Sequence, residues 1–213
     1  MPEAARTLDC PHFLLDAAGE LMAEHGYGAM SMRQLAARVG LQPGSLYHHV
    51  TSKQDLLLDV LLNIHAQRLE AWRTCAFTRD LEGYLRFLLA RQRSHPNEEL
   101  VLRHEARHLN KTQRAWLDQA LKRLQEPLRL FVKSCATRNS LEPPEDCNLH
   151  DAIISLLVTA ENLRQCQELI DEKGVETWLL STSQVLLRQA LQPSAIPTWF
   201  EVTQGQPENE DSR

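Results

Sequence analysis

Long hydrophobic runs and a signal peptide are both absent from this chain of 213 residues. A helix needs about 20 apolar residues to cross a bilayer, and no such run occurs, so we expect no membrane contact. The opening letters M-P-E-A-A-R are not followed by an apolar signal region. The sequence therefore predicts a cytoplasmic protein rather than a secreted one.

Paired cysteines are also missing. The five cysteines are odd in number, scattered, and contain no C-x-x-C pair. Such a set predicts reduced thiols instead of disulfides or a zinc site. We therefore expect no metal site and no cofactor.

An excess of basic charge is the third absence. The formal net charge is -5, and acidic residues outnumber basic ones up to Lys53. This balance counts against a nucleic-acid partner on electrostatics alone. However, Asp16, Glu20 and Glu24 recur every fourth residue and so share one helix face. That face can point away from a polyanion.

One stretch carries most of the local information, S-M-R-Q-L-A-A-R-V-G-L-Q-P-G-S-L-Y-H-H-V-T-S-K, residues 31–53. Ser31 and Ser52 each begin a helix-capping pattern. Gly40 can turn with a positive φ, and Leu46 and Val50 are spaced to point inward from a second helix. Short helix, glycine turn and short helix predict a helix-turn-helix.

The outward side of this second helix is polar. Gln42, Ser45, Tyr47 and His48 are hydrogen-bonding side chains that can reach phosphates and base edges in a major groove. The alternative is a plain helical hairpin within a core. The pattern alone leaves both interpretations open.

The segment G-L-Q-P-G-S-L-Y-H-H-V-T-S-K-Q-D-L-L closely resembles the signature of the tetracycline-repressor (TetR) family of bacterial transcriptional regulators. The preceding A-A-G-E-L-M-A-E-H-G-Y-G-A-M-S-M-R-Q-L-A-A-R-V also fits, and the resemblance covers about the first quarter of the chain. It implies an all-α fold, with a three-helix DNA-binding head and a helical ligand-binding and dimerisation domain. It also implies a transcriptional repressor that binds double-stranded operator DNA, and not an enzyme.

The resemblance assigns DNA contacts to residues at the starts of two helices and along the recognition helix. Gly44 departs from many relatives because it has no side chain to read a base, and His49 is expected to be structural. The assigned contacts are Arg33, Gln42, Pro43, Gly44, Ser45, Tyr47, His48 and Lys53. Because few are cationic, we expect a modest dependence of DNA affinity on salt.

Three regions are expected along the chain: a head at 1–52, a helical domain at 53–192 and a mostly disordered acidic tail at 193–213. Apolar stripes predict helices throughout the second region. One of them should run from Pro96 through Leu109, and Pro127 should kink or divide another.

A small-molecule effector is expected in the helical domain. The segment 98–109 resembles, weakly, branches of the family that respond to acyl-CoA thioesters, so a CoA-type ligand, another apolar molecule and no effector all stay open. Arginines in this region could meet phosphates, and a leucine-lined cleft could hold an acyl chain. The candidate ligand-binding residues are Trp72, Tyr84, Arg103, His104, Arg107, Trp116 and Phe131.

The last two helices have broad apolar faces. These could be buried within one subunit, whereas the resemblance implies a homodimer through a four-helix bundle. The candidate interface residues are Leu149, Ile153, Leu156, Leu157, Ala160, Leu163, Trp178, Leu179, Val185 and Leu186.

His104-Glu105-Ala106-Arg107-His108 is a literal H-E-x-x-H. On a helix this spacing puts both imidazoles on one face, as in zinc proteases. Lys111 and Arg114 occupy the positions of the glycine and third histidine in the extended motif, so a metalloenzyme is the weaker alternative.

Overall fold

The computed structural model describes residues 10–124, 126–138, 149–165 and 170–190. These residues form α-helices with no strand among them, which confirms the predicted all-α class. The predicted tail at 193–213 lies outside the described residues. The helices are α1 (His12–Ala29), α2 (Met32–Arg38), α3 (Pro43–Leu46), α4 (Lys53–Thr74), α5 (Leu81–Ser94), α6 (Pro96–His104), α7 (Lys111–Leu124), α8 (Glu126–Arg138), α9 (Leu149–Gln165) and α10 (Glu172–Ala190), with a 3₁₀ turn, Ala106–His108, after α6.

The predicted caps form at the helix-turn-helix. The Ser31 hydroxyl accepts a hydrogen bond from the Gln34 N–H, and Gln34 Oε1 accepts one from the Ser31 N–H at 2.7 Å. Ser52 caps α4 in the same way, accepting from the Asp55 N–H at 3.0 Å. Gly40 turns with φ 71° between α2 and α3. Local sequence therefore fixes both ends of this motif.

Two hydrophobic cores hold the helices together. The first core contains residues of helices α1, α2 and α3 and of the first half of α4. Val101, Leu109 and Leu117, from later in the chain, also belong to it. The second lies between the end of α4 and helices α5, α8, α9 and α10. Buried side chains thus do not divide at residue 52, and the predicted boundary there stays a prediction. Helix α4 belongs to both cores.

One predicted helix differs from the structure, and the division predicted at Pro127 is confirmed. The helix beginning at Pro96 ends at His104 instead of Leu109, and a 3₁₀ turn follows it. Pro127 lies in the first turn of α8, because α7 ends at Leu124 and α8 begins at Glu126. A first turn tolerates a missing N–H, so the chain divides there and no kinked helix forms.

Helix α1 is interrupted near its end by Gly26, which has φ 78° and ψ 153°. This backbone region is essentially restricted to glycine and costs other residues about 1–3 kcal/mol.

We predict that Gly26→Ala lowers the free energy of unfolding by about that amount, measured by urea denaturation. The matched control is Gly28→Ala, because a Cβ there meets nothing within 4 Å. Gly28→Ala should leave stability unchanged or raise it by about 0.5–1 kcal/mol. Equal stability of the two variants would contradict the strain at Gly26.

Candidate DNA-binding surface and ligand cavity

The segment 42–49 forms a polar outward surface on a buried support. Leu46 and Val50 are buried, and Tyr47 is 57% exposed. Only Pro43–Leu46 is helical, although the Val50 N–H still donates to the Leu46 carbonyl at 3.1 Å. His49, which we expected to be structural, is exposed on the same surface. The exposed residues are Gln42, Pro43, Gly44, Ser45, Tyr47, His48 and His49.

The two predicted flanking cations differ in their surroundings. Arg33 is exposed on α2. The Lys53 ammonium lies 4.4 Å from the centroid of the Tyr27 ring and donates to the Gly28 carbonyl at 3.3 Å. Partial burial lowers the pKa of Lys53. Contacts with α1 therefore hold the Lys53 side chain in place.

The acidic face of α1 neutralises a third cation. Arg38 bridges Glu20 at 3.4 Å and Glu24 at 2.8 Å. The hydrogen bond and the charge of Arg38 hold the pKa of Glu24 below its usual value. The Asp16 carboxylate instead accepts from Gln67 at 3.3 Å. The positive charge of Arg38 is therefore used within the head.

A cavity of about 340 Å³ lies between α4, α5, α6, α7 and α9. Most of its wall is aliphatic or aromatic. The stripe that α4 contributes recurs at helical spacing and includes two polar residues, His65 and Arg68. The lining residues are Leu61, His65, Arg68, Leu69, Trp72, Tyr84, Phe87, Leu88, Gln92, Glu99, Leu102, Arg103, Ala106, Leu117, Leu121, Ile154, Leu157 and Val158.

Three predicted ligand residues, Trp72, Tyr84 and Arg103, line this cavity. Phe131 does not, because it packs behind the wall at 6.2 Å from the Trp72 ring. His104, Arg107 and Trp116 are exposed outside the cavity, and Trp116 is 43% exposed. The structure thus brings together about half of the predicted set.

Sequence reasoning missed the polar lining residues His65, Arg68, Gln92 and Glu99. Those on α4 could have been found, since residues 61, 65, 68, 69 and 72 share one helical stripe. Polar residues inside an apolar stripe are a signal for a site. The residues on α5 and α6 gave no comparable local signal.

An ion-pair network closes one side of the cavity. The Arg68 guanidinium pairs with Glu99 and lies 3.4 Å from Glu98, and Arg91 pairs with Glu98 at 2.7 Å. All four side chains are largely buried, and their charges sum to zero. The network is therefore electrically complete without a ligand.

His65 lies beside this network with protein on nearly every side. Burial, and then the positive charge of Arg68, lower the pKa of His65 to about 3. It retains some accessible surface because it lines the cavity. The imidazole is consequently neutral at physiological pH.

The H-E-x-x-H segment does not form the expected helical face. Helix α6 ends at His104, which is exposed, while His108 lies in the following 3₁₀ turn. Glu105 is buried and accepts from the Tyr27 N–H at 3.1 Å. The described residues contain no group of three or more metal-binding side chains. The metalloenzyme interpretation thus loses its geometric basis.

The predicted interface residues separate into two sets. Ile153, Leu157, Ala160 and Leu179 are buried in the second core of their own subunit. Ile153, Ala160 and Leu179 are core residues, because a side chain without accessible surface cannot contact a partner. Leu157 is 6% exposed and also lines the cavity. Leu156, Leu163, Trp178 and Leu186 are partly buried, Val185 is 51% exposed, and the side chain of Leu149 lies outside the described part.

Residues 42–49 form a short polar segment, here called the recognition segment, on a capped helix-turn-helix. A helix-turn-helix of this kind attached to a helical body with a cavity defines a class of DNA-binding regulatory protein. Residues 14–60 match the family model "Bacterial regulatory proteins, tetR family". The match covers the head of the chain and not the helical body.

Two curated relatives match over part of the chain. The HTH-type transcriptional regulator UidR of Escherichia coli K12 is 33% identical over 60 residues, covering 28% of this chain and 31% of UidR. The HTH-type transcriptional repressor KstR2 of Rhodococcus jostii RHA1 is 44% identical over 48 residues, covering 22% and 24%. The alignments thus span under a third of the length of these relatives.

Solved structures match over most of the chain. The tetR family regulator PfmR from Thermus thermophilus has a TM-score of 0.56 and 22% identity, covering 82% of this chain and 97% of PfmR. FadR from Bacillus subtilis in complex with stearoyl-CoA has a TM-score of 0.62 and 17% identity, covering 85% and 98%. At these identities the likeness shows the fold alone. Within the described residues, no helix is both long and apolar enough to span a bilayer.

The neutral state of His65 predicts a pH dependence of stability. An unfolded histidine binds a proton below about pH 6.5, whereas folded His65 resists one until about pH 3. Stability therefore falls as the pH drops through this window, by about 1.4 kcal/mol between pH 7.5 and 5.5. Urea unfolding of His65→Gln should lack this contribution. The matched variant at exposed His104, His104→Gln, should keep it, and an identical pH dependence in wild type and His65→Gln would contradict the assignment.

Proposed function

We propose that this tetR-family protein is a cytoplasmic repressor. It binds a palindromic operator as a homodimer and leaves it when a small apolar or acyl-CoA-type ligand occupies the cavity. The observation that carries the proposal is that one helix, α4, begins at the DNA-facing head and continues as a wall of the cavity. The same element can therefore respond to the ligand and reposition the head.

The exposed segment 42–49 supports the DNA-binding part. Its hydroxyl, amide and imidazole groups project from a buried support at Leu46 and Val50. Such groups can bind phosphates and base edges in a major groove. Gln42, Ser45, Tyr47 and His48 are the proposed contacts, and Pro43 and Gly44 allow the backbone to approach.

The cavity supports the ligand-binding part. Its predominantly apolar wall suits an acyl chain or a compact apolar molecule. The nucleotide part of a CoA thioester would have to lie outside a volume of about 340 Å³. The FadR complex with stearoyl-CoA shares this fold and makes the acyl-CoA class worth testing.

A route from cavity to head also supports regulation. Leu102 and Ala106 line the cavity, while Val101 and Leu109 of the same segment belong to the first core. A ligand that separates the cavity walls would displace this segment and tilt α4. Regulation requires the ligand to bind one of the two arrangements more tightly.

Helices α9 and α10 support the homodimer. Val158 and Val185 are exposed, and partly buried Leu156, Trp178 and Leu186 adjoin the second core. Pairing these faces about a two-fold axis would place two recognition segments on half-sites about 34 Å apart.

Tyr47→Ala tests the recognition surface. Fluorescence anisotropy with duplex DNA from beside the gene should show affinity reduced about 10-fold or more, because the variant loses a hydroxyl and a ring at the contact. The control is Phe13→Ala, which removes a 53% exposed aromatic from α1 of the same head. It should change affinity less than about twofold. Unchanged binding by Tyr47→Ala would remove this surface from the interface, and no preference for any flanking DNA over random duplex would count against the function.

The salt dependence of DNA affinity tests how many cationic side chains contact DNA phosphates. If Arg33 and Lys53 supply the phosphate contacts of each subunit, log Kd should change with log salt with a slope of about 4 or less. Arg33→Met should reduce that slope by about 2 in a dimer, whereas Arg38→Met should leave it unchanged because Arg38 is bound to Glu20 and Glu24. A wild-type slope near 8, or a reduced slope in Arg38→Met, would show that the head uses more cations.

A further inference from the structure

We infer that Tyr27 is a positioning residue for DNA binding: its ring holds the Lys53 ammonium for a DNA phosphate, and the segment 105–108, which follows α6, holds the ring. The inference rests on the proposed function for the phosphate contact. It adds a means of control within each subunit, which differs from a change in the spacing of two heads.

The Lys53 ammonium is held by groups that do not neutralise it. It lies 4.4 Å from the centroid of the Tyr27 ring and donates to the Gly28 carbonyl at 3.3 Å. Neither partner carries a net charge, and no carboxylate among the residues that the structure describes forms an ion pair with Lys53. An ammonium has three N–H donors. Lys53 is therefore fixed in place while its positive charge and at least one donor remain for a phosphate.

Arg38 provides the contrast within the same head. Its guanidinium pairs with Glu20 at 3.4 Å and with Glu24 at 2.8 Å. Carboxylates fix the position of a cation but also cancel its charge, whereas an aromatic face attracts a cation through the ring quadrupole and leaves the net charge unchanged. Of these two cations, Lys53 is the one that can still attract an external anion.

The Tyr27 residue is itself held by the helical body. Its N–H donates to buried Glu105 at 3.1 Å, and the His108 ring stacks on the Tyr27 ring with centroids 5.0 Å apart and an interplanar angle of 29°. Gln54, which follows Lys53, donates to the His108 carbonyl at 2.8 Å. One segment of the body therefore contacts both the ring and the first turn of α4, from which Lys53 extends.

This segment also reaches the ligand cavity. Ala106 lines the cavity, and its carbonyl accepts a hydrogen bond from Arg114 of α7 at 3.0 Å. In the proposed mechanism, a ligand that displaces Ala106 would move the two groups that hold Tyr27. The Lys53 ammonium would then lose its fixed position. A mobile ammonium binds a phosphate less tightly, because binding must first order it.

A double-mutant cycle in the full-length protein tests whether Tyr27 acts through Lys53. In the anisotropy assay, Tyr27→Leu should weaken binding to the flanking duplex by about 2- to 5-fold per head, and by about 4- to 25-fold in a dimer, because a cation–π contact near the surface has about that strength. Tyr27→Phe keeps the ring and should restore the affinity. In a Lys53→Met background, Tyr27→Leu should change the affinity less than about twofold, since no ammonium is left to position. Additive effects of the two substitutions overturn the inference.

Substitutions at His108 test the contribution of the body. His108→Ala removes the stacked ring but leaves the carbonyl that accepts from Gln54, so it should weaken DNA binding only while the Tyr27 ring is present. His108→Phe keeps a stacked ring and should restore the affinity. The matched control is Phe13→Leu, which changes a 53% exposed aromatic of α1 and should have the same small effect with or without Lys53. A loss of affinity in His108→Ala that persists unchanged in the Tyr27→Leu background also overturns the inference.

A measurement without DNA separates this inference from the proposed function. The ring current of Tyr27 should shift the proton resonances of the Lys53 side chain upfield in NMR spectra of the full-length protein, with Lys53→Met used to assign them. The shift should disappear in Tyr27→Leu and decrease in His108→Ala. Lys53 resonances at the positions of an exposed lysine overturn the inference.

The two ideas therefore fail in different ways. An upfield shift of Lys53 in a protein that prefers no flanking duplex over random DNA would contradict the proposed function, and with it the phosphate contact. Preferential DNA binding with additive effects of Tyr27→Leu and Lys53→Met would contradict the inference alone.

Discussion

The hydrogen bond from the Tyr27 N–H to buried Glu105 is the contact on which the joint between head and body depends. Gly26 breaks α1 with a positive φ, and the next N–H donates to this carboxylate at 3.1 Å. His108 adds a ring stacked on Tyr27 at 5.0 Å. A buried carboxylate that accepts no hydrogen bond costs folding free energy, so this contact constrains both Glu105 and the Tyr27 backbone. The H-E-x-x-H segment thus has a structural role, because Glu105 and His108 both contact Tyr27. Ala106 of the same segment lines the cavity.

Helix α4 connects the head to the second core. Its 22 residues span about 33 Å, from the head at Lys53 to the second core at Trp72. The first half is buried among the head helices, so the head must follow any tilt of α4. In the proposed mechanism, a small displacement at the cavity would become a larger one at residues 42–49. Packed cores favour a few discrete arrangements over continuous deformation, which suits a two-state regulator.

Local signals predicted the head well, because caps, a glycine turn and inward leucines act within a few residues of each other. Glu105 could not be placed in this way, since its partner is 78 positions away. The stripes on α9 and α10 predicted burial but not the burying partner, which is why Ile153 and Leu179 proved to be core residues. Likewise, only tertiary structure separates Arg68, whose charge is balanced, from Arg103, whose charge is not.

The sparse cations of the head bear on how such a regulator would work. With Arg38 held by Glu20 and Glu24, each subunit has little positive charge to bind the DNA backbone without regard to sequence. One head alone would then bind weakly, and affinity would depend on two heads engaging together at a fixed spacing. A ligand that shifts this spacing removes the contribution of the second head. Weak individual contacts would therefore make the proposed switch sensitive, because a small tilt of α4 cancels the joint binding on which the affinity depends.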